Sequence, residues 1–223
     1  MEKAQSKKKV KVSPQKMKAA YVEQVLVEGK PPSSVFLFCR NLKISESDFY
    51  VHFNSFPALE KAIWDDLLTE TIEILNKDEN YPNYTVREKM LALLFTWVEQ
   101  LKENRSYVGY QFANIPRQDV MPGFLGAAKL TFESFFKELI VEGVESDEIA
   151  DRKPLTMHYA KAFWAQFVFV TRFWVGDESK GFEKTDAFIE KSVHFAFNLV
   201  GKGVIDSFLD LSKFLMQNMR PNS

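Results

Sequence analysis

Apolar residues recur three and four positions apart along nearly the whole chain, and this spacing limits the possible folds more than any other feature of the sequence. Val35, Phe38, Cys39 and Leu42 show the pattern in a short segment, and residues 86 to 101 show it over several turns. Side chains at this spacing share one face of an α-helix, whereas a half-buried strand needs strict alternation. Glycine and proline fall between the periodic segments. The sequence therefore predicts an all-α fold.

Local capping signals indicate where the helices begin and end. Serines whose hydroxyls can accept from free backbone N–H groups mark three helix starts, at Ser33 or Ser34, Ser45 and Ser55. Asp48 stands three residues after Ser45, which completes a capping-box pattern, so a short third helix begins at Ser45. Gly29 ends the first helix. Further helices are predicted near residues 85–104, 105–114, 122–142, 155–175, 182–200 and 204–218.

Charge is divided unevenly along the chain. Residues 1–55 contain ten Lys and Arg against five Asp and Glu, a net +5, although the whole chain has a net charge of -1. A basic head on an acidic body favours a polyanionic partner such as nucleic acid. Residues 1–12 form a basic arm with Lys7, Lys8, Lys9 and Lys11, which can reach phosphates. A solvated lysine-rich tail is the competing interpretation of this arm.

Several classes of protein are disfavoured by the residues present. Cys39 is a single cysteine, and the three histidines show no metal-ligand spacing, so we expect no disulfide, metal or cofactor. The sequence has no phosphate-binding loop and no nucleophile elbow, so we expect that the protein is not an enzyme. Its most apolar segment, residues 162–176, is broken by Gln166 and Arg172 and is shorter than the roughly 20 residues that cross a bilayer. With no secretory signal pattern, a cytoplasmic protein without a membrane partner is expected.

Residues 17–63 carry a family resemblance. Their pattern includes the break at Gly29, the helix start at Ser34, the Ile44–Ser45 turn, the segment FYVHF at residues 49–53 and the segment NSFPALEKAI at residues 54–63. This stretch resembles the N-terminal helix-turn-helix domain of the TetR family of transcriptional regulators. The resemblance implies a TetR-like fold with a DNA-binding domain at residues 13–55 and a helical domain at residues 56–223 that binds a ligand and dimerises.

The resemblance also implies which residues contact DNA. Tyr50 and His52 match family positions that touch phosphates or base edges, and Ser34 matches a phosphate-contacting cap. The predicted DNA-binding residues are Ser34, Lys43, Ser45, Glu46, Ser47, Tyr50 and His52. Tyr50 can instead simply cover the core, and a lone histidine on a short helix is often only a surface residue.

Some residues depart from the family pattern. Glu46, Ser47 and Asp48 replace a basic residue, a glycine and a small hydroxyl residue, so two carboxylates are expected near the DNA face. A carboxylate is repelled by phosphates and pairs favourably only with a cytosine amine. Phe56 stands where the family often has a phosphate-binding lysine. Phe36 and Leu37 are apolar where family members are polar or charged, which favours an exposed interaction patch or contact with the fourth helix or the N-terminal arm.

The body is rich in phenylalanine, which favours either an aromatic-lined cavity or a filled aromatic core. The candidate cavity walls are Trp97, Tyr107, Tyr110, Phe132, Tyr159, Phe163 and Phe167. His158, Gln166 and Arg172 are candidates for orienting the polar end of a small apolar or aromatic ligand. The family resemblance implies an isologous homodimer through the last helices, with Phe188, Phe195 and Leu199, or Ile205, Leu209 and Met216, as candidate contacts.

Two functions are consistent with these observations. The leading hypothesis is a TetR-like regulator that binds double-stranded operator DNA and is controlled by a small apolar ligand. The alternative is a protein of TetR fold that has lost DNA binding and binds lipid or isoprenoid. The basic arm and the FYVHF segment favour the regulator, whereas Glu46, Asp48, Phe36 and Leu37 favour the alternative.

Overall fold

The computed structural model describes residues 12–113, 115–116, 119–153 and 155–203. Within these residues the chain forms nine α-helices and no strand: α1 Pro14–Glu28, α2 Val35–Leu42, α3 Glu46–Tyr50, α4 Phe56–Asn76, α5 Val86–Glu103, α6 Arg105–Phe112, α7 Gly126–Glu145, α8 Tyr159–Val175 and α9 Glu183–Val200. The all-α prediction is confirmed. The basic residues at 1–11 and the predicted helix at 204–218 lie outside the described residues.

Capping residues named from the sequence end α1 and start α2, α3 and α4. Gly29 follows α1 with a φ of 67°, the left-handed region that glycine enters without strain. Ser34 caps α2 by accepting from the backbone N–H of Leu37 at 3.2 Å. Ser55 caps α4 in the same way. These caps satisfy N–H groups that have no partner inside the helix, which is why short sequence signals locate them.

An aromatic cluster joins α1, α2 and α3 to the start of α4. Phe38 and Phe49 are buried, and their ring centroids lie 5.5 and 5.8 Å from that of Phe56. Tyr21 of α1 packs on the same ring at 5.3 Å. Phe56, at the sequence position where the family often has a phosphate-binding lysine, therefore packs against the core of the three-helix head.

The body is built around α4, which packs along α5 and α7, while α8 contacts α6, α7 and α9. Trp97, Phe132, Trp164 and Phe167 are fully buried where these helices meet. Burying one large apolar side chain contributes on the order of 1.5–3 kcal/mol, so this aromatic core is a main source of stability. None of the described helices combines the length and the hydropathy needed to cross a membrane.

Helix α9 is fixed at both ends by buried charged residues. Asp177 accepts hydrogen bonds from the backbone N–H and hydroxyl of Thr185, at 2.9 and 2.7 Å, near the start of the helix. The Arg152 guanidinium donates to the carbonyl of Val200 at 3.0 Å and to that of Gly201 at 2.5 Å. Each charge faces the end of the helix dipole that it complements. These contacts hold α9 in place beside α8.

Candidate functional site

The start of α3 is closed by a reciprocal cap between Ser45 and Asp48. The Ser45 hydroxyl accepts from the backbone N–H of Asp48 at 3.2 Å, and Asp48 Oδ2 accepts from the backbone N–H of Ser45 at 3.0 Å. The Asp48 carboxylate also accepts from the Ser45 hydroxyl at 2.6 Å. Asp48 is half-buried in this cap. One of the two acids expected near DNA therefore has a structural role.

The two sides of α3 differ in exposure. Phe49 and Phe53 are buried against the head, whereas Ser47, Tyr50 and His52 are exposed, with Tyr50 at 49%. Glu46, the first residue of the helix, is half-buried. The buried phenylalanines fix the orientation of α3 and leave an outer surface of hydroxyl, phenol and imidazole groups. All of these can donate or accept hydrogen bonds.

Ser34 and Lys43 lie at the two ends of α2. The Ser34 hydroxyl serves as the N-cap of this helix. Lys43 ends the helix with a φ of 58°, and its side chain is exposed. Lys43 thus has the left-handed backbone that a glycine would supply at this turn. Lys43 stands two residues before Ser45, the N-cap of α3, and the N-terminus of α2 carries a partial positive charge at the opposite end of α2.

A trough runs along the outer side of α8, between α9 and the segment that follows α6. Its volume is about 1420 Å³. Apolar side chains dominate its lining, among them Ala162, Phe169, Phe173, Phe188, Phe195 and Leu199. Phe169, Phe173 and Phe195 are exposed, so this α8–α9 trough is open to solvent in the single chain. Residues 155–175 are apolar nearly all round, a pattern that predicts enclosure by other helices or by a second subunit, and on this side no described element of the single chain covers α8.

A family model described as "Tetracyclin repressor-like, C-terminal domain" matches residues 89–215, which is more than half of the chain. The chain belongs to the TetR family. The family prediction made from the head is thus confirmed by an independent match in the body. No curated protein matches the sequence significantly.

The fold of this TetR-family chain is also similar to a solved structure. The crystal structure of a bacterial regulatory protein in the TetR family from Rhodococcus RHA1 superposes with a TM-score of 0.52. The alignment covers 86% of this chain and 98% of that chain, at 15% sequence identity. At this identity the similarity supports the fold alone. It extends the TetR-like architecture over the head as well as the body.

The candidate ligand-binding residues do not surround one common cavity. Trp97, Phe132 and Phe167 are fully buried, with ring centroids 4.8 Å apart for Trp97 and Phe167 and 5.1 Å apart for Phe132 and Phe167. Tyr107 is buried on α6, and Tyr110 is half-buried on the same helix. Tyr159 and Phe163 line the α8–α9 trough. The set is therefore divided between a packed core and the trough.

The three polar candidates in the body also differ in their surroundings. His158 is exposed, while Gln166 and Arg172 line the trough. The Gln166 amide nitrogen donates to the Ser192 hydroxyl at 3.0 Å, and Arg172 donates to the carbonyls of Ile115 and Asp119. Gln166 and Arg172 thus tie α8 to its two neighbours on either side of the trough.

The importance of Phe169 and Phe173 was not evident from the sequence. Both residues belong to a helix that is apolar on nearly every side, so periodicity gives no signal for the uncovered face. Phe36 of α2 is likewise exposed, at 56%, and the Arg40 guanidinium lies 6.0 Å from the centroid of its ring. Leu37, beside it, is half-buried.

Proposed function

We propose that this TetR-family chain is a transcriptional regulator that binds operator DNA as a homodimer and responds to a small apolar ligand. The observation that carries the proposal is that Ser47 and Tyr50 of α3 and His52, two residues after it, are exposed while Phe49 and Phe53 anchor the segment in the head. A short, rigidly anchored helix with such side chains suits insertion into a major groove.

The groups around α3 divide into two roles. In the proposed complex, Ser34, at the N-terminus of α2, and Lys43 contact phosphates, which determine affinity but carry no sequence information. Tyr50, His52 and Ser47 contact base edges in the same proposal. Glu46 opposes phosphate binding, but its carboxylate can accept from the amino group of cytosine. A cytosine under Glu46 is therefore part of the proposed operator.

The proposed homodimer uses the α8–α9 trough. Small-molecule sites typically have volumes of roughly 300–1,000 Å³, and the trough exceeds this range and is open. The exposed rings of Phe169, Phe173 and Phe195 form an apolar surface that suits packing against a helix of a second copy. An isologous contact of this face would bury the exposed rings of both copies.

Ligand control is the remaining part of the proposal. Trp97 and Phe132 both pack their rings on Phe167, so a ligand at these residues would bind by separating the rings. Ligand binding would then favour a body conformation in which the two heads have a different separation. The ligand must prefer that conformation to have any effect on DNA affinity.

Selection of bound fragments from genomic DNA, repeated at several salt concentrations, tests the proposal. The wild-type protein is expected to enrich a two-fold symmetric site and to lose affinity steeply as salt rises. Tyr50→Ala should abolish the enrichment and leave the dimer intact, whereas Val27→Ala, at an exposed apolar residue of α1, should change neither. Absence of an enriched site for the wild-type protein would refute DNA binding.

Lipid or isoprenoid binding without DNA binding is the second candidate. The exposed ring of Phe36 and the carboxylate of Glu46 favour it, because neither is suited to a phosphate surface. A protein with this function would retain an apolar ligand through purification, detectable by native mass spectrometry. It would also show no sequence preference in the DNA selection.

A further inference from the structure

Three helices meet at the carboxylate of Glu60 in α4. The Tyr21 hydroxyl of α1 donates to Glu60 Oε1 at 2.6 Å. The Gln111 amide of α6 donates to the same oxygen at 3.3 Å and to the Tyr107 hydroxyl at 2.9 Å. One carboxylate oxygen therefore connects the head helix α1 to the body helix α6.

The environment of this cluster strengthens its hydrogen bonds. Tyr21 and Tyr107 are buried, and Glu60 and Gln111 are half-buried. Burial, followed by the hydrogen bond to Glu60, raises the pKa of Tyr21 and keeps its hydroxyl protonated as a donor. A charged acceptor with low water access gives a hydrogen bond stronger than a neutral surface one.

The same end of α6 that carries Gln111 also reaches the α8–α9 trough. Phe112, the last residue of α6, lines the trough, and the Arg172 guanidinium lies 5.3 Å from the centroid of its ring. Gln111, next to it in the chain, contacts Glu60. A helix is a rigid element, so a displacement of Phe112 moves Gln111 with it.

A second contact between α1 and α4 has different properties. Lys18 of α1 forms an ion pair with Asp66 of α4, whose side chain is 39% exposed. Partly exposed ion pairs contribute little because water screens them. Neither Lys18 nor Asp66 forms a hydrogen bond or ion pair with the described residues of α6, so this pair joins α1 to α4 without a polar link to the body helix.

We infer that Glu60 is a positioning residue that sets the orientation of the DNA-binding head relative to the body, and that α6 transmits changes at the trough to it. The inference rests on the proposed function for its effect on DNA. The structural coupling of α6 to α1, which is the other half of the inference, does not depend on DNA binding.

The test uses two variants that remove hydrogen bonds and keep the packing. Tyr21→Phe keeps the ring that packs on Phe56 and removes the bond from α1, and Gln111→Leu removes the bond from α6. Thr131→Val is the matched control, because it removes a hydroxyl bond to another α4 carboxylate, Asp65, from a body helix. Glu60→Gln keeps an acceptor oxygen and serves as the conservative variant.

Hydrogen exchange of the full chain without DNA gives the first readout. Both Tyr21→Phe and Gln111→Leu should raise amide exchange in α1 by at least about fivefold relative to the rest of the chain. Thr131→Val should leave the α1 amides unchanged, and Glu60→Gln, which keeps an acceptor oxygen but loses the charge, should lie between the wild type and Tyr21→Phe. If Gln111→Leu leaves α1 exchange as slow as in Thr131→Val, α6 does not hold the head and the inference is wrong.

The spacing between half-sites in selected DNA gives the second readout. Loosening the head should broaden the range of spacings that Tyr21→Phe and Gln111→Leu accept, compared with wild type and Thr131→Val. An unchanged spacing range with faster α1 exchange would overturn the claim that Glu60 sets head orientation. If the wild type selects no DNA, the proposed function fails, and the exchange measurement still decides whether α6 is coupled to α1.

Discussion

Asp48 accepts from both the backbone N–H and the hydroxyl of Ser45, at 3.0 and 2.6 Å. This pairing turns the Asp48 carboxylate back onto the start of α3. It leaves Glu46 as the acid of α3 outside the cap, in a region expected to contact DNA. The acidic character of α3 is thus partly a consequence of how this helix is capped.

Loss of this cap should destabilise the head. Ser45→Ala removes the acceptor of the Asp48 backbone N–H, and replacing an N-cap serine by alanine costs about 1 kcal/mol. Urea unfolding of the full chain measures the change. Ser33→Ala, at an exposed serine before α2, is the control and should be within about 0.5 kcal/mol of wild type. Equal stability of the two variants would contradict the role of the cap.

Removing the charge of Lys43 should weaken DNA binding at every sequence. Lys43→Asn is the suitable variant, because asparagine tolerates the left-handed backbone at this position. The slope of log affinity against log salt should become shallower by about 1, as expected for one lost phosphate contact. Binding measured by fluorescence anisotropy at several salt concentrations gives the slope. A slope equal to that of wild type would place Lys43 away from phosphate.

Neutralising Glu46 should alter base preference. Glu46→Gln removes one negative charge near DNA and replaces a cytosine-reading group with one that favours adenine. We expect tighter binding at low salt and a change from cytosine to adenine at one symmetric position of the selected site. Selection with both proteins in parallel tests this. An identical consensus for the two proteins would show that Glu46 does not contact bases.

A charge placed in the trough should separate the proposed dimer. Phe195 is 63% exposed in the single chain, and Phe195→Asp would put a carboxylate into an apolar contact. Central aromatic contacts are often worth about 2 kcal/mol or more, so the dissociation constant should rise at least about 30-fold. Analytical ultracentrifugation measures this. Leu130→Asp, at a 69% exposed residue of α7, is the control and should leave the assembly unchanged.

The stability of α9 should depend on pH through Asp177. Burial acts to raise the pKa of this carboxyl, but hydrogen bonds from Ser179 and Thr185 outweigh burial and lower it. Because the folded pKa lies below the unfolded value of about 3.9, the stabilisation is present above pH 4 and is lost as pH falls through the folded pKa.

Asp177→Asn should therefore lower stability by about 1 kcal/mol at neutral pH and by much less in strong acid, where the wild-type carboxyl is also uncharged. Thermal melts between pH 2 and 7 provide the comparison. Asp186→Asn, at an exposed residue in the first turn of α9, is the control. A constant difference between Asp177→Asn and wild type across this range would exclude the linkage.

The helix starts of the head could be predicted from single residues because caps are local. Ser34, Ser45 and Ser55 each accept from a backbone N–H three residues ahead, so sequence distance and spatial distance coincide. The same holds for Gly29, whose positive φ depends on its own lack of a side chain. Because these interactions are local, the three-helix head can be predicted from the sequence without knowledge of tertiary contacts.

The body could be predicted only as a set of helices. Phe167 and Phe169 are two residues apart in α8, yet the first is fully buried in the core and the second lies in the open trough. Because α8 is apolar on nearly every side, periodicity does not distinguish a covered face from an uncovered one. Glu60 likewise occupies a polar position in the amphipathic pattern of α4. That pattern predicts a solvent-exposed side chain and gives no sign of its hydrogen bonds to other helices.

The sequence by itself determined the helical class, the capped three-helix head and the family. Tertiary structure alone decided that Trp97, Phe132 and Phe167 fill a core, that Phe169 and Phe195 face a trough, and that Glu60 joins α1 to α6. Caps depend on neighbours in the chain, whereas burial and interhelical hydrogen bonds depend on how helices far apart in sequence pack together.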